Sequence, residues 1–264
     1  MNFRLSTTLI CTLSLVLATS VAAFGAGITL QPDEANSKDT FVYSFLPVTN
    51  IGGSATFLSA GNSPLVGPPG GQSEHDLNTL IQFDLSAVSY TAGAVTSATL
   101  NLFLIDSAAF NPNVASPSPT KPVDLSLHEI TESWSETTTW STKPTFNEAA
   151  EDLATVTGID QWVSLDVTDL VKDWLNNPAS NNGMLIQQTN FEATGMLFHV
   201  AVFNSSGGAT TELRPFLNIV PEPSGGVLAL TGLLALVVRR RVRDGWSAVA
   251  LDLPAAPTLR RAVR

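Results

Sequence analysis

The chain has 264 residues, of which 44% are hydrophobic and 14% charged, and its 13 basic and 23 acidic side chains give a formal charge of −10. This length fits one large or two small domains. The single cysteine, Cys11, excludes a disulfide framework and a cysteine-containing zinc site, and the acidic balance disfavours a nucleic-acid partner, because the phosphate backbone is bound by basic side chains.

Residues 1–23 have the pattern of a secretory signal peptide. Arg4 precedes an apolar stretch at residues 9–18, and Val21, Ala22 and Ala23 supply small residues for a signal peptidase. The alternative, a retained membrane anchor, is disfavoured because the apolar stretch is short. The sequence therefore predicts a signal helix that is removed after Ala23 when the protein is exported.

Residues 24–220 are predicted to form one domain made mostly of β-strands. Its five basic and twenty acidic side chains give this segment a formal charge of −15. In residues 97–105, Leu100, Leu102 and Leu104 fall on one face, with the period of two that is typical of strands. The other predicted strands are residues 39–43, 56–59, 78–83, 123–130, 162–167, 184–188, 196–203 and 216–220.

Two long loops and one helix complete this prediction. Residues 61–75 and 111–122 are rich in Pro, Gly, Ser and Asn and are predicted as loops. Thr168 is predicted to cap a helix at residues 169–175, in which four apolar side chains share a face: Leu170, Val171, Trp174 and Leu175. Many short strands with few helices favour an all-β fold, an antiparallel β-sandwich of jelly-roll type with one short helix.

Several stretches between Asp39 and Val220 resemble a DNRLRE-type domain, a β-sandwich module of exported bacterial and archaeal proteins. The matching stretches, in chain order, are residues 39–42 (DTFV), 80–85 (LIQFDL), 95–102 (VTSATLNL), 134–136 (WSE) with 139–140 (TW) and Pro144, 162–171 (WVSLDVTDLV), 182–186 (NGMLI) and 214–217 (RPFL). Some relatives of this type are classed as carbohydrate-binding modules of polysaccharide-degrading enzymes. Where relatives carry a Ser-Arg-Glu-like triplet before the last strand, this chain has Asn204-Ser205-Ser206.

The C-terminal region resembles a PEP-CTERM sorting signal over residues 221–243. Its three elements are the tripeptide Pro221-Glu222-Pro223, an apolar run of 14 residues at 225–238, and the basic cluster Arg239-Arg240-Arg241. The resemblance implies that the C-terminal apolar helix enters the inner membrane and that an exosortase then processes the chain. A basic tail, residues 244–264, continues beyond the cluster, where the signal of the family usually ends.

Tryptophans are the candidate ligand-binding residues of the predicted domain. A sugar ring stacks its C–H face on an aromatic ring, so an exposed Trp beside polar side chains suits a saccharide site. Trp162 shares a strand face with Ser164 and Asp166, and Asp166 is a further ligand-binding candidate. Trp174 is assigned to the helix core. Trp134 and Trp140 are further candidates, with the alternative that they are packing anchors, since both belong to the recurring pattern of the resembled family.

The sequence contains no recognisable catalytic motif. His75, His128 and His199 are far apart, and no nucleophile elbow, helical histidine pair or phosphate-binding loop accompanies them. His199 lies in a nearly all-apolar stretch and is predicted to be a core residue with a hydrogen-bond partner. The sequence therefore predicts a protein that is not an enzyme, with a carboxylate-based polysaccharide hydrolase or lyase as an alternative.

No cofactor is required by the sequence. Asp33, Glu34, Asp39, Asp166 and Asp169 could supply oxygen ligands to a structural calcium ion, but no calcium-binding loop motif is present, and a solvated acidic surface is the favoured interpretation. The functional prediction is an exported, non-catalytic cell-surface or matrix module that contacts extracellular polysaccharide. Because the domain is strongly acidic, a neutral polysaccharide is favoured over an anionic one. The alternative of another class is a structural surface protein without affinity for saccharides.

Overall fold

Twelve β-strands and one α-helix are present in the residues that the computed structural model describes, which are 27–36, 38–66, 72–107, 114–190 and 198–222. The strands are β1 (Ile28–Leu30), β2 (Lys38–Tyr43), β3 (Phe57–Val66), β4 (Gln72–Gln82), β5 (Val95–Ile105), β6 (Val114–Ala115), β7 (Val123–Glu129), β8 (Asp152–Val156), β9 (Gln161–Asp166), β10 (Met184–Gln188), β11 (Phe198–Asn204) and β12 (Phe216–Pro221). The helix, α1 (Thr168–Asn176), lies between β9 and β10.

The strands form one hydrogen-bonded network in the order β1-β12-β5-β11-β3-β4-β10-β7-β8. In addition, β2 pairs with β4, β9 with β5, and β6 with β11. Every described pair is antiparallel except the short β6–β11 pair. The predicted all-β, antiparallel, sandwich-like fold with one short helix is confirmed. These strands and α1 belong to one compact unit, Ala26–Glu222.

The main apolar core follows the predicted alternation of the strands. Leu100, Leu102 and Leu104 of β5 are fully buried, as are Val123, Leu125 and Leu127 of β7. Helix α1 adds three buried side chains to the same core: Leu170, Val171 and Trp174. Burying each of the larger apolar side chains contributes about 1.5–3 kcal/mol to the stability of the fold. This alternation is therefore the main reason that each strand keeps the same face towards the core.

A second apolar cluster lies on the opposite face of β2, β4 and β10. In β10, Met184 and Ile186 enter the main core, while Leu185 between them enters the second cluster. The other members of the second cluster are Val42, Leu80, Ile130 and Trp134, with Trp140 and Phe146 packed against it. Because residues 130–146 cover this face, β10 is apolar on both sides.

The segment predicted as a loop at residues 61–75 instead contains the paired arms of a β-hairpin. From Gly61 opposite Leu77 to Val66 opposite Gln72, β3 and β4 pair in continuous register. Gly61 lies in the predicted loop, but close packing requires it there, since a Cβ atom at this position would lie 2.1 Å from Cγ1 of Val200. The second predicted loop, residues 111–122, likewise includes the short strand β6.

Helix α1 begins one residue earlier than predicted. Thr168 is the first helical residue rather than the cap, and its hydroxyl accepts a hydrogen bond from the N–H of Ala98 on β5 at 2.9 Å. The Oδ1 atom of Asp166 accepts the Thr168 N–H at 2.9 Å. The Asp166 side chain therefore accepts the first N–H of the helix, and the Thr168 hydroxyl links the helix to β5.

Candidate functional site

The side of the sheet that faces away from the main core combines aromatic and polar side chains on four neighbouring strands, β1, β12, β5 and β9. Register places Trp162 opposite Phe103 and places Ser164 opposite Asn101. Asn101 and Thr99 also lie opposite Phe216 and Asn218 of β12, respectively. We call this surface the outer face; its residues are Thr29, Thr99, Asn101, Phe103, Trp162, Ser164, Asp166, Phe216 and Asn218.

Three aromatic rings form a continuous cluster on the outer face. The ring of Trp162 makes edge-to-face contacts with Phe103, at a centroid distance of 5.2 Å, and with Phe216, at 4.9 Å. Strands β9 and β12 flank β5, so their backbones are about 10 Å apart, and the short ring distance means that Trp162 and Phe216 lean towards each other across β5. Trp162 nevertheless remains 39% exposed.

Asn101 lies between these aromatic residues and fixes the polar part of the outer face. It is only 9% exposed. Its Oδ1 atom accepts a hydrogen bond from the Ser164 hydroxyl at 2.7 Å, and its Nδ2 atom donates to the carbonyl of Thr99 at 3.0 Å. These bonds hold Asn101 and Ser164 in place beside the exposed indole, so the surface is organised before any ligand arrives.

The polar side chains continue towards both ends of the outer face. On β1, the hydroxyl of Thr29 donates to Oδ1 of Asn218 at 3.4 Å. On β9, Asp166 is exposed and its Oδ1 atom holds the start of α1 through Thr168. The structure therefore brings two of the predicted binding residues, Trp162 and Asp166, onto one surface. Asp166 also stabilises the start of α1 through its hydrogen bonds with Thr168.

Trp134 and Trp140 lie elsewhere, on the second apolar cluster. Trp134 is 8% exposed, its Nε1 donates to the carbonyl of Asn182 at 2.7 Å, and Nζ of Lys38 lies 4.3 Å from its ring centroid. Trp140 is half-buried, with Nζ of Lys143 at 4.0 Å from its ring centroid. Their contacts are those of packing residues, and their predicted role in ligand binding stays a prediction.

A match to a protein-family model shows which family the chain belongs to. The family model of carbohydrate-binding module family 96 matches residues 32–215, which is more than half of the sequence. The chain belongs to carbohydrate-binding module family 96. Among curated proteins, none matches it. The matched range of the family 96 module includes all of β5 and β9, and thus Phe103 and Trp162 of the outer face.

The described histidines of the family 96 module are held in its interior. His199 is buried and its Nε2 bonds the carbonyl of Lys121 at 2.9 Å, as predicted for a core residue with a partner. His128 is 4% exposed, with Nδ1 at 2.9 Å from the carbonyl of Asn147 and Nε2 at 2.8 Å from the Ser126 hydroxyl. The side chain of His75 lies outside the described residues.

A pocket of about 290 Å³ adjoins the outer face at Asp166. Glu151 and Asp169 also line it. Burial raises the pKa of Glu151, and the carboxylates of Glu129, Asp169 and Asp173 raise it further. Within the described ranges, no three His, Cys, Asp or Glu side chains are grouped as metal ligands would be. The calcium site considered from the sequence therefore stays a hypothesis without a described ligand cluster.

Six residues of the outer face were not predicted from the sequence: Thr29, Thr99, Asn101, Phe103, Phe216 and Asn218. The signal for Phe103 was present, because it alternates with the buried Leu102 and Leu104 and so had to be an aromatic residue on the solvent side of its strand. Phe216 precedes the buried Leu217 in the same way. Their meeting with Trp162 depends on the register of separate strands, which one sequence does not contain.

Two further predictions concern the chain ends. Among the residues that the structure describes, no helix is long and apolar enough to span a bilayer. The predicted signal helix and the predicted C-terminal apolar helix at 225–238 both lie outside those residues. At the sorting tripeptide, Pro221 is buried as the last residue of β12, and the N–H of Glu222 donates to the carbonyl of Ala94 at 2.6 Å.

Proposed function

We propose that this family 96 module is an exported, non-catalytic protein that binds a neutral polysaccharide through its outer face. The observation that carries the proposal is the 39% exposure of Trp162, whose ring is braced by Phe103 and Phe216. An apolar side chain of this size normally loses its exposed area to the core, so an indole fixed at the surface is a candidate for ligand contact.

The chemistry of the outer face suits a sugar ring. The indole of Trp162 offers a flat apolar surface for the C–H face of a pyranose, and an aromatic residue loses little conformational entropy when it is already braced. Ser164, Thr99 and Asn218 supply hydroxyl and amide groups that both donate and accept hydrogen bonds, as sugar hydroxyls do. Trp162 thus supplies affinity and its polar neighbours supply orientation.

Charge supports a neutral ligand. Of the nine residues of the outer face, Asp166 is the only charged one. The predicted exported segment, residues 24–220, carries a formal charge of −15. An anionic polymer would therefore be repelled by the domain and would find no basic partner on the outer face, most strongly at low ionic strength. Binding in this proposal uses side chains alone and needs no metal or other cofactor.

Export and sorting complete the proposal. The signal peptide at residues 1–23 directs a DNRLRE-type module, residues 24–220, through the secretion machinery. The PEP-CTERM signal at residues 221–243, which the basic tail at residues 244–264 follows, then holds the chain at the inner membrane until an exosortase processes it. The module consequently acts at the cell envelope or in the extracellular matrix, where polysaccharide is its partner.

A glycan array probed with the full chain tests the ligand class. The array carries linear neutral polysaccharides, such as glucans, mannans and xylans, beside anionic ones, such as alginate and pectate, and is read at low and at physiological salt. We expect retention on at least one neutral polymer with little dependence on salt. Retention on anionic polymers alone, or on no polymer, would refute the proposal.

A further inference from the structure

The last strand of the module contains the first residue of the tripeptide Pro221-Glu222-Pro223. Side chains along β12 are buried alternately, and Pro221 is the third buried position, after Leu217 and Ile219. Pro221 lies opposite Val95 of β5, which is 3% exposed and belongs to the main core. The start of the predicted sorting signal is therefore packed against the folded module.

The second residue of the tripeptide is held by its backbone. The N–H of Glu222 donates to the carbonyl of Ala94 at 2.6 Å. Ala94 is itself fixed, because its own N–H donates to the carbonyl of Thr91 at 2.9 Å and so closes the turn before β5. Pro223 lies outside the described residues. Two of the three residues of the tripeptide thus make defined contacts with the module.

These contacts compete with recognition by an enzyme. Extended peptides are commonly bound through their backbone hydrogen bonds and through pockets that take alternate side chains. The N–H of Glu222 cannot donate to Ala94 and to an enzyme at the same time, and the buried ring of Pro221 cannot fill a pocket elsewhere. From Leu217 to Ile219, β12 is also paired on both sides, with β1 and with β5. In the folded module, the tripeptide is consequently not presented as a free extended segment.

Release of the tripeptide requires only the end of β12 to open. The register with β5 shifts between Val220 and Pro221, and a proline has no N–H to pair across such an irregularity. Opening therefore breaks the hydrogen bond of Glu222 and exposes Pro221, while Leu217 and Ile219 stay in the core. Strand ends open far more readily than the centre of a sheet, so this local step precedes any global unfolding.

We propose that the folded module occludes its own sorting tripeptide, so that an exosortase processes only chains in which the end of β12 has not yet docked or has opened. This inference rests on the proposed sorting by an exosortase. β12 is the last strand in chain order, and its partners β1 and β5 lie far earlier in the sequence. Docking of β12 then closes the period in which the signal is fully accessible, and the opening of its end sets the rate of processing afterwards.

Hydrogen exchange tests the occlusion without the enzyme. In the full chain, exchange read at single amides should be at least about tenfold slower at Glu222 than in an unstructured peptide of the same local sequence, because the N–H is paired with Ala94. Exchange at the rate of the unstructured peptide would overturn the inference, whatever becomes of the chain in the cell.

Pulse-chase labelling in a host that carries an exosortase tests the consequence. An insertion of Gly-Ser-Gly-Ser between Val220 and Pro221 moves the whole tripeptide away from β12 and keeps its spacing to the apolar run. This variant should be processed about fivefold faster than the wild type, the effect of removing one hydrogen bond from the opening step. The same insertion between Arg243 and Asp244, beyond the signal, is the matched control and should be processed as the wild type is.

The outcomes separate this inference from the sorting proposal. Equal processing rates for the wild type and the variant with the insertion before Pro221 would overturn the occlusion while leaving exosortase sorting intact. A rate that rises equally with both insertions would also overturn it, because the effect would then not come from β12. Absence of processing in every chain would refute exosortase sorting and this inference together.

Discussion

The carboxylate of Asp39 on β2 accepts two hydrogen bonds from Ser206, one from the backbone N–H at 2.8 Å and one from the hydroxyl at 3.1 Å. These bonds join β2 to the end of β11, where this chain has Asn204-Ser205-Ser206 in place of the triplet of the resembled family. Asp39 is 7% exposed, so the pair is an interior link between distant parts of the sequence.

The Asp39 pair predicts a pH dependence of stability. Burial raises the pKa of Asp39, the bonds from Ser206 oppose the rise, and the nearby carboxylates of Glu136 and Glu34 add to it. The folded protein therefore holds this proton to a higher pH than the unfolded chain. The contribution of Asp39 to the free energy of unfolding is fully present below its ordinary pKa and is lost as pH rises through the folded value.

Asp39→Asn removes this titration and keeps groups that can bond Ser206. Urea denaturation between about pH 3 and 7, which brackets the ordinary aspartate pKa, should show a smaller loss of stability with rising pH in the variant than in the wild type. Asp84→Asn is the matched control with the opposite sign, since Ser86 lowers the pKa of Asp84. An Asp39→Asn curve parallel to that of the wild type would contradict the account.

The free energy of unfolding distinguishes a tryptophan that packs in the interior from one that binds ligand at the surface. Trp134→Ala should lower the free energy of unfolding by about 3–5 kcal/mol, because it empties a site in the second apolar cluster. Trp162→Ala should cost only about 1–2 kcal/mol, since much of that side chain is already in water. Chemical denaturation measures both. A Trp134→Ala variant that is as stable as the wild type but fails to bind glycans would make Trp134 a ligand residue instead.

Gly61 predicts a steric effect where β3 pairs with β11, because it lies directly opposite Val200. Gly61→Ala should destabilise the protein by about 1–3 kcal/mol, because the new methyl group overlaps Val200 and one strand must shift. At Gly93, nothing lies within 4 Å of an added Cβ atom, so Gly93→Ala should leave stability unchanged or raise it by up to about 1 kcal/mol. Equal midpoints for the two variants in thermal unfolding would show that the close approach is not maintained.

Sorting predicts a change of mass. If an exosortase processes the chain, material recovered from the cell envelope should lack the C-terminal apolar run and the basic tail, and intact-mass spectrometry should show a chain that ends near the tripeptide Pro221-Glu222-Pro223. Replacing Arg239, Arg240 and Arg241 together should leave the chain unprocessed. Exported protein that still ends at Arg264 would refute this part of the proposal.

Local sequence patterns predicted which side of each strand is buried. Which residues of separate strands lie together depends on strand pairing, which those patterns do not contain. The alternation in β5 and β7 and the exposure of Trp162 follow from a period of two, which reads correctly wherever one side of a strand is buried. Gly61 misled the prediction of a loop because a glycine required by close packing looks the same as one required by a turn.

The candidate site was predictable only in part for a related reason. Trp162 and Asp166 share one strand, so sequence spacing alone puts them on one face. Phe216 and Asn101 join them through the pairing of β12 and β9 with β5, which is a nonlocal property. The second apolar cluster, which contains Trp134, forms because residues 130–146 fold over β10. No periodicity in the sequence predicts that this segment covers the strand.

Trp162 is the residue through which the module is proposed to bind glycan. Titration calorimetry of the full chain with the neutral polysaccharide that it retains on the array should show at least a tenfold loss of affinity in Trp162→Ala, equivalent to about 1.4 kcal/mol of lost stacking. Leu153→Ala removes another exposed apolar side chain, 67% exposed and outside the outer face, and should bind as the wild type does. Equal affinity of folded Trp162→Ala and wild type would contradict the account.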